Sequence, residues 1–279
     1  MSDLPALGAV IGTPIAQSLS PAIHAEAFAE FGHGGHYEAI DCGLQEMSAT
    51  VSDLVARGAC GFSVTMPLKE SVVALCDELD PVAATLGAVN CVSCHEGTLV
   101  GHNTDGDGCC DALETVGGLD VEGKNVLVLG AGGTARSVCL ALAARGARIV
   151  VRNRTWSRSE ELIAMVRGAV PGATIVGGVA DFEIGFDALV NTTSVGMGTD
   201  EAPLDSTFLH AGLVVLDAVY HPLQTALLKA AESAGAVCVD GLWMLVHQAR
   251  RQQKIWFGVS SSAANMRSAA LRALADRRQ

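Results

Sequence analysis

The sequence predicts an α/β fold in two domains, and three observations carry that prediction. Short apolar runs alternate with amphipathic segments up to about residue 105, as in a sheet covered by helices. The alternation restarts at residue 124 around a glycine-rich turn. The chain has 279 residues, enough for two cores of ordinary size, and 49% of them are apolar against 17% charged. That balance shows no bias toward disorder, and no low-complexity segment, sustained heptad or internal repeat interrupts it.

In the first half, LGAVIG (7–12) reads as a strand. Pro21 to Phe31 reads as a helix with Ile23, Ala27, Phe28 and Phe31 on one stripe, ended by Gly32. YEAID (37–41) is a second strand, and 46–57 a helix with Met47, Val51, Leu54 and Val55 inward. GFSVTMPLKE (61–70) reads as a third strand, a proline and then a helix. Pro67 suits the first helical position, where its missing N–H would be unbonded anyway. Lys69 then falls in the first turn, where the macrodipole disfavours a cation. A hairpin-like pair, 88–94 and 98–102, turns at His95, Glu96 and Gly97. GHNTDGDG (101–108) sets Asp105 just past a strand and before a helix over 107–116. Such alternation implies a mostly parallel sheet.

The second half opens with KNVLVLGAGGTARSVCLALAARGARIVVRNR, a strand, tight glycine turn, helix and strand. Further strands are expected at 173–177, 186–191, 213–219 and 236–240, and helices at 157–168 and 223–234. Two helical segments, 242–257 and 261–276, follow the last strand.

The turn runs Gly130, Ala131, Gly132, Gly133, Thr134, Ala135 and contains G-x-G-x-x-A. Gly130 permits the tight turn, Gly132 lets a pyrophosphate approach the backbone, and Ala135 is small enough for helix to pack on strand. The helix N-terminus then stabilises phosphates. A glycine turn that merely ends a strand is the alternative. An NAD-preferring site carries an acidic residue about 20 positions on. Here the second strand ends in Arg152, Asn153, Arg154 and Thr155, with Arg158 beyond and no carboxylate before Glu160. In a chain of net charge −12, Arg145, Arg148, Arg152, Arg154 and Arg158 read as a local cationic cluster. Guanidinium forks match phosphate oxygens, so NADP(H) is expected over NAD(H). A solvated helix face paired with Glu160 and Glu161 is the alternative.

The acidic balance disfavours nucleic acid and acidic membranes as partners. No apolar run approaches the roughly 18–20 residues of a membrane span. MSDLPALGAVIG lacks a basic leader and carries Asp3, so no signal peptide is expected. Nine cysteines, an odd number, suit a reducing cytoplasm. Cys91 and Cys94 form a CxxC with Cys109 and Cys110 downstream, but AVNCVSC reads as a strand, whose positions three apart face opposite ways. These cysteines are expected as buried small hydrophobes, and no metal site is expected. His24, His33, His36, His95, His102, His210, His221 and His247 show no metal-ligand spacing and read as surface or packing residues.

Lys69 and Asp105 are the candidate chemical groups. Alone, each has a bland alternative: a solvated lysine, and a helix cap or turn aspartate. Together they would form an oriented acid/base, and carbonyl reduction by a nicotinamide needs a proton donor at the oxygen.

GTPIAQSLSPAIH, GFSVTMPLKE, GAVNCVSCHEGTLVGHNTD, GAGGTAR, NRTWSR, DAVYHPLQTALL and GLWMLVHQA, in this order and over nearly the whole chain, resemble the successive motifs of shikimate dehydrogenases. The resemblance implies NADPH-dependent, reversible reduction of 3-dehydroshikimate to shikimate on the route to aromatic amino acids. It also implies an N-terminal α/β substrate domain and a Rossmann-like NADP-binding domain, with substrate in the cleft between them. The expected boundaries are 1–105, completed by helices 242–279, and 106–241.

By the same resemblance, Lys69 and Asp105 match the catalytic pair, and Ser18 and Ser20 the hydroxyls that hold the substrate carboxylate. Ser20 also precedes Pro21 at a helix start, where an anion is favoured; an N-cap role is the alternative and does not exclude the other. Thr65, Asn90 and Gln248 match residues that bond substrate hydroxyls, and Tyr220 one beside the carboxylate. Asn191, Thr192, Thr193, Gly241 and Met244 match positions near the nicotinamide. A turn residue for Asn90, helix-surface or interdomain groups for Gln248 and Tyr220, and strand-end packing for the last set stay open.

Three positions depart from the family pattern. Gln17 stands where His is usual, Ser63 where Asn is usual, and Cys91 where Thr commonly follows the motif asparagine. Ser63 is the most consequential, being shorter than an amide that would reach a ring hydroxyl. Either water bridges the gap, or the site accepts a bulkier relative such as quinate. The enzymatic alternative is therefore a quinate/shikimate dehydrogenase or a paralogue for a related cyclic hydroxy acid. The non-enzymatic one is an NADP- or metabolite-binding regulator, which has no need of both Lys69 and Asp105. The expected partners are a small-molecule substrate and NADP(H). Oligomeric state is not written in the sequence, and a homodimer is carried only as an option.

Overall fold

The computed structural model describes residues 7–32, 34–178 and 185–277. The opening segment with Asp3, and His33, lie outside the described residues. The chain forms two compact units. One is built from the chain up to Thr104 and from Gln248 onward, the other from Asp105–His247.

The first unit runs β1 (Leu7–Gly12), α1 (Ser20–Glu30), β2 (His36–Asp41), α2 (Met47–Ala56) and β3 (Gly61–Val64). β2 and β3 flank β1 in parallel, so that Val10 lies between Ala39 and Ser63. β1 alternates its side chains between two faces. Ala9 and Ile11 enter a core with Val51, Leu54, Phe62 and Leu68, whereas Val10 joins Phe28, Tyr37, Trp256 and Phe257.

A 3-10 helix (Ser71–Leu75), β4 (Glu78–Leu79), α3 (Pro81–Leu86), β5 (Cys91–His95) and β6 (Thr98–His102) complete the sheet, in the order β2-β1-β3-β5-β6-β4. β3 pairs antiparallel with β5, and β5 with β6. The sheet is therefore mostly parallel, as expected, with β5 the one reversed strand. The tight hairpin is the cause: Glu96 and Gly97 both take positive φ, 51° and 83°, as the two-residue turn that matches strand twist requires. α3 escaped the sequence reading despite its signals. Asp80 Oδ1 accepts from Ala83 N at 2.6 Å at its start, and Gly87 ends it at φ 61°.

The helix expected after Pro67 is absent. Met66 and Pro67 lie in a turn, Lys69 and Glu70 in another, and only the 3-10 helix follows. Cys76 must return to extended backbone, ψ 137°, so that β4 can pair with β6. Too few residues remain between these points to repay α-helix nucleation. No macrodipole acts on Lys69 as the sequence had suggested.

The second unit comprises α4 (Asp105–Thr115), β7 (Asn125–Leu129), α5 (Gly133–Ala144), β8 (Arg148–Arg152), α6 (Trp156–Ala169), β9 (Thr174–Gly177) and β10 (Ala188–Asn191). A 3-10 turn (Ser206–Phe208), β11 (Val214–Asp217), α7 (Ala226–Ser233), β12 (Val237–Val239) and the start of α8 (Gly241–Phe257) follow. α4 begins at Asp105 itself, not after it. Gly106 explains how α4 lies so close to α5: its N–H donates to Ser137 Oγ at 2.8 Å, and a Cβ there would collide with the Ser137 carbonyl. All strands are parallel, in the order β12-β11-β10-β7-β8-β9. This is the doubly wound Rossmann order, reversing between β7 and β10. Both faces are covered, which is why β7 is apolar after Asn125: Val126 and Val128 enter one core, Leu127 and Leu129 the other.

From Gln248 onward, α8 and then α9 (Ala263–Asp276) belong to the first unit. α9 lies along α1, with Arg272 paired to Glu26 at 2.8 Å and the Glu30 carboxylate accepting from Ser262 N.

Candidate active site

In the first unit, β3 and β5 bring Thr65, Lys69 and Asn90 to one end of the sheet. Val64 N donates to Asn90 O at 2.8 Å, and Val89 N donates to Lys69 O at 2.8 Å, which pins the lysine segment beside the asparagine. Asn90 is buried and fully engaged. Its Oδ1 accepts from Thr104 N at 2.8 Å, and its Nδ2 donates to Thr104 Oγ1 at 3.1 Å and to Gln248 Oε1 at 3.2 Å. Gln252 Nε2 also donates to Gln248 Oε1, at 2.7 Å. Asn90, Thr104 and Gln248, far apart in sequence, thus meet in one polar cluster.

Ser63 does not reach outward from it. Its hydroxyl is buried, 2.7 Å from both Tyr37 Oη and Gln252 Oε1. Burial raises the Tyr37 phenol far above its ordinary pKa, so it stays protonated. The Cys91 thiol is likewise pushed well up by burial and stays neutral.

A turn at Ala16 and Gln17 leads through Ser18 into α1, which Ser20 opens. The cap of that helix is Leu19, in helical conformation and without a side-chain hydrogen bond, so the N-cap role open to Ser20 is not realised. Ser18 Oγ instead accepts from Ser20 N at 3.3 Å. Arg277 holds the turn from outside, donating to the carbonyls of Gln17 and Ser18 at 2.9 and 2.8 Å.

In the second unit the glycine turn follows β7 at the point where strand order reverses. Gly130 has φ 112°, and a Cβ there would lie 2.6 Å from Thr192 Oγ1. Around Gly132 and Gly133 a Cβ would meet nothing within 4 Å, while Ala135 is fully buried against the sheet. The cradle therefore has the open backbone that a pyrophosphate needs, above the N-terminus of α5. Gly130 N donates to Arg152 O at 2.8 Å, which sets the end of β8 beside the turn. Asn153 Nδ2 donates to Thr155 O at 2.8 Å, and Thr155 heads α6 without a capping side-chain bond. Arg154 and Arg158 are exposed there. A phosphate on the ribose fits this donor set.

The five-arginine cluster is split. Arg148 starts β8 and pairs with Asn125 at the far end of the parallel sheet, about 13 Å by strand rise from Arg152. Arg145 is taken by α4, 2.8 Å from Asp107 and 4.0 Å from Asp111. Arg145 ends α5 and Arg148 starts β8, whereas Arg152 ends that strand, a distinction that sequence proximity hides. Arg152, Arg154 and Arg158 remain at the cradle end.

Thr192 and Thr193 follow β10. Thr192 Oγ1 donates to Leu129 O at 2.6 Å, and Thr193 Oγ1 to Asn191 Oδ1 at 2.7 Å. Behind them is a buried carboxylate that the sequence reading did not single out. Asp217 accepts from Asn191 Nδ2 at 2.9 Å, Val219 N at 3.1 Å and Thr225 Oγ1 at 2.7 Å. Burial raises its pKa, with these three donors pulling the other way. The network fixes the start of the loop that carries Tyr220. Gly241 packs its Cα against the Ala218 carbonyl, 2.5 Å from where a Cβ would be, and Met244 is buried in the sheet's core.

Comparison with known proteins matches each part of this layout. Residues 10–92 match the family described as "Shikimate dehydrogenase substrate binding domain", 112–194 "Shikimate / quinate 5-dehydrogenase", and 241–271 "Shikimate 5'-dehydrogenase C-terminal domain". The chain is 38% identical over 265 residues to the shikimate dehydrogenase (NADP(+)) of Pyrococcus abyssi, covering 95% of this chain and 97% of that one. The chain belongs to the shikimate dehydrogenase family.

Among solved relatives, the shikimate 5-dehydrogenase of Thermus thermophilus in complex with NADP(H) and shikimate superposes with a TM-score of 0.87 at 36% identity. It covers 96% of this chain and 99% of its own. A 5-ketofructose reductase of a Gluconobacter species superposes with a TM-score of 0.89 at 33% identity, covering 96% and 98%. The shikimate dehydrogenase fold therefore also occurs in a protein named for a different carbonyl compound. Within this family member, the sequence reading missed Tyr37, Thr104 and Gln252 in the first unit and Asp217 and Thr225 in the second. Thr104 and Asp217 lay inside quoted motifs. Gln252 had no motif, only its i+4 spacing from Gln248 on one helix face. No helix among the described residues is long and apolar enough to cross a membrane, and no group of three or more His, Cys, Asp or Glu stands ready for a metal.

Proposed function

We propose that this chain catalyses the reversible, NADP(H)-dependent interconversion of 3-dehydroshikimate and shikimate. The observation that carries the reading is the convergence of Asn90, Thr104 and Gln248, beside the Lys69 segment and immediately before Asp105. Asn90, Gln248 and Thr65 hold the ring hydroxyls in this reading, and Ser18 and Ser20 the carboxylate, with Tyr220 beside it. Gly132 and Gly133 take the pyrophosphate, Arg154, Arg158 and Thr155 the ribose phosphate, and Thr192, Thr193, Gly241 and Met244 border the nicotinamide. When bound, that ring supplies or takes up the hydride. Lys69 holds the proton that the carbonyl oxygen takes as the alcohol forms, and Asp105 orients the lysine. The 1–105 and 242–279 segments serve the substrate and 106–241 the dinucleotide. A cytoplasmic setting belongs to the same reading, supported by nine thiols with no disulfide among them. A homodimer is carried with it as the assembly that sedimentation would test.

The Ser63 hydroxyl favours a second reading, in which a related polyhydroxylated acid such as quinate is also accepted. Held by Tyr37 and Gln252, it does not take the part of the longer amide that the family pattern places here. Steady-state rates with shikimate and quinate, each with NADP and NAD, separate the two. Turnover of shikimate with NADP above the other three combinations supports the first reading. No turnover with any of the four by folded protein would overturn both.

A further inference from the structure

The hydrogen bonds behind the first unit's cluster run in one direction, and a single backbone group sets it. Thr104 N–H is a donor without alternative, so the Asn90 atom 2.8 Å away is oxygen. The other Asn90 terminal atom is then –NH2, and it donates to Gln248, whose facing atom must be Oε1. The Gln252 atom 2.7 Å from that same oxygen must donate, so it is Nε2. Gln252 therefore turns Oε1 to Ser63, which donates to it at 2.7 Å. Ser63, having given its proton, accepts from Tyr37 Oη at 2.7 Å. Polarity passes unbroken from one main-chain N–H to a buried tyrosine.

The consequence falls on Gln248. With its oxygen held by Gln252 and Asn90, its –NH2 is the end turned away from these two side chains. Reversing the amide would set nitrogen against two donors in a buried site, where unmet hydrogen bonds cost most. Gln252 is 1% exposed and sits four residues along α8 from Gln248, to which its Nε2 donates.

We propose that Gln252, braced by Ser63 and Tyr37, is a positioning residue that orients the Gln248 amide so that the site recognises a hydrogen-bond acceptor on the substrate. The inference rests on the reading that Gln248 touches substrate. It gives the departure at residue 63 a function: the serine is the link that a longer side chain pointing into the pocket would not supply.

Five variants test it in the full-length enzyme with NADP. Gln248→Ala establishes whether Gln248 meets substrate at all. Gln252→Leu keeps bulk but removes the donor, and the expected result is a rise of about tenfold in KM for shikimate. Its kcat stays within about threefold, and KM for NADP is unchanged, because only substrate positioning is lost. Ser63→Ala moves KM the same way by less, and Ser63→Thr, which keeps the hydroxyl, restores it. Should Gln252→Leu fail to fold, Gln252→Glu decides. A carboxylate cannot donate to Gln248 but a carboxylic acid can, so the ratio of its KM to the wild-type KM rises between about pH 5.5 and 9. A flat ratio, or an unchanged KM in Gln252→Leu beside a raised KM in Gln248→Ala, overturns the positioning role alone. An unchanged KM in Gln248→Ala overturns the substrate contact and the inference together.

Discussion

His24 should make the first unit's stability depend on acid. It lies inside α1, fully buried, stacked on Tyr37 with ring centroids 4.3 Å apart and planes 12° from parallel. Trp256 closes it in at 5.2 Å, and neither ring nitrogen reaches a hydrogen-bond partner. Burial lowers its pKa from 6.5 to about 3, the neighbouring Gln252 side chain offsetting this only in part. The unfolded chain therefore binds a proton that the folded chain refuses. Above the unfolded value neither state is protonated and His24 has no effect. Below it, stability falls with each pH unit until the folded value is reached. At about 1.4 kcal/mol per unit, the loss between pH 8 and 5 is about 2 kcal/mol. Urea unfolding followed by Trp256 fluorescence, with Trp156 and Trp243 replaced by Phe, reads this unit alone. Against a His24→Phe variant, which keeps a stacked ring without a titrating group, wild type should lose about 2 kcal/mol more over that range. Equal losses in the two proteins would refute the reasoning.

Four other outcomes follow from the second unit. Gly132→Ala, at φ −84° and with open space around its Cβ, should leave Tm unchanged yet weaken NADP binding about tenfold or more in a fluorescence titration. Gly130→Ala, at positive φ and against Thr192, should instead lower stability by roughly 1–3 kcal/mol in urea. Asp217→Ala strands the donors of Asn191, Val219 and Thr225 in a buried site and should cost about 3 kcal/mol in the same assay. Arg154→Ala should reduce the NADP over NAD preference in kcat/KM about tenfold while leaving the NAD value in place.

Local patterns were legible wherever chain neighbours decide structure. The glycine turn could be read because Gly130 and Gly132 do their work within one βαβ unit, and the period of apolar residues located α1, α2, α5 and α6. What escaped the sequence depends on partners distant in the chain. Lys69 lost its helix because β4 had to pair with Val100 and Gly101 of β6, far downstream in the chain. Ser20 lost its capping role because Leu19 was already helical. Arg148 and Arg152 looked like neighbours until β8 set them at its opposite ends. In the candidate site, Asn90 and Gln248 were visible through motifs, whereas Gln252 was not. Its partner Ser63 is 189 positions away, and nothing local marks a glutamine as one link in a buried chain.

The account stands most directly on Lys69. Production of reduced nicotinamide from shikimate and NADP should fall at least about 100-fold in Lys69→Ala, with folding and NADP binding intact. Equal turnover in the two proteins would remove the lysine from the chemistry and contradict the proposed site.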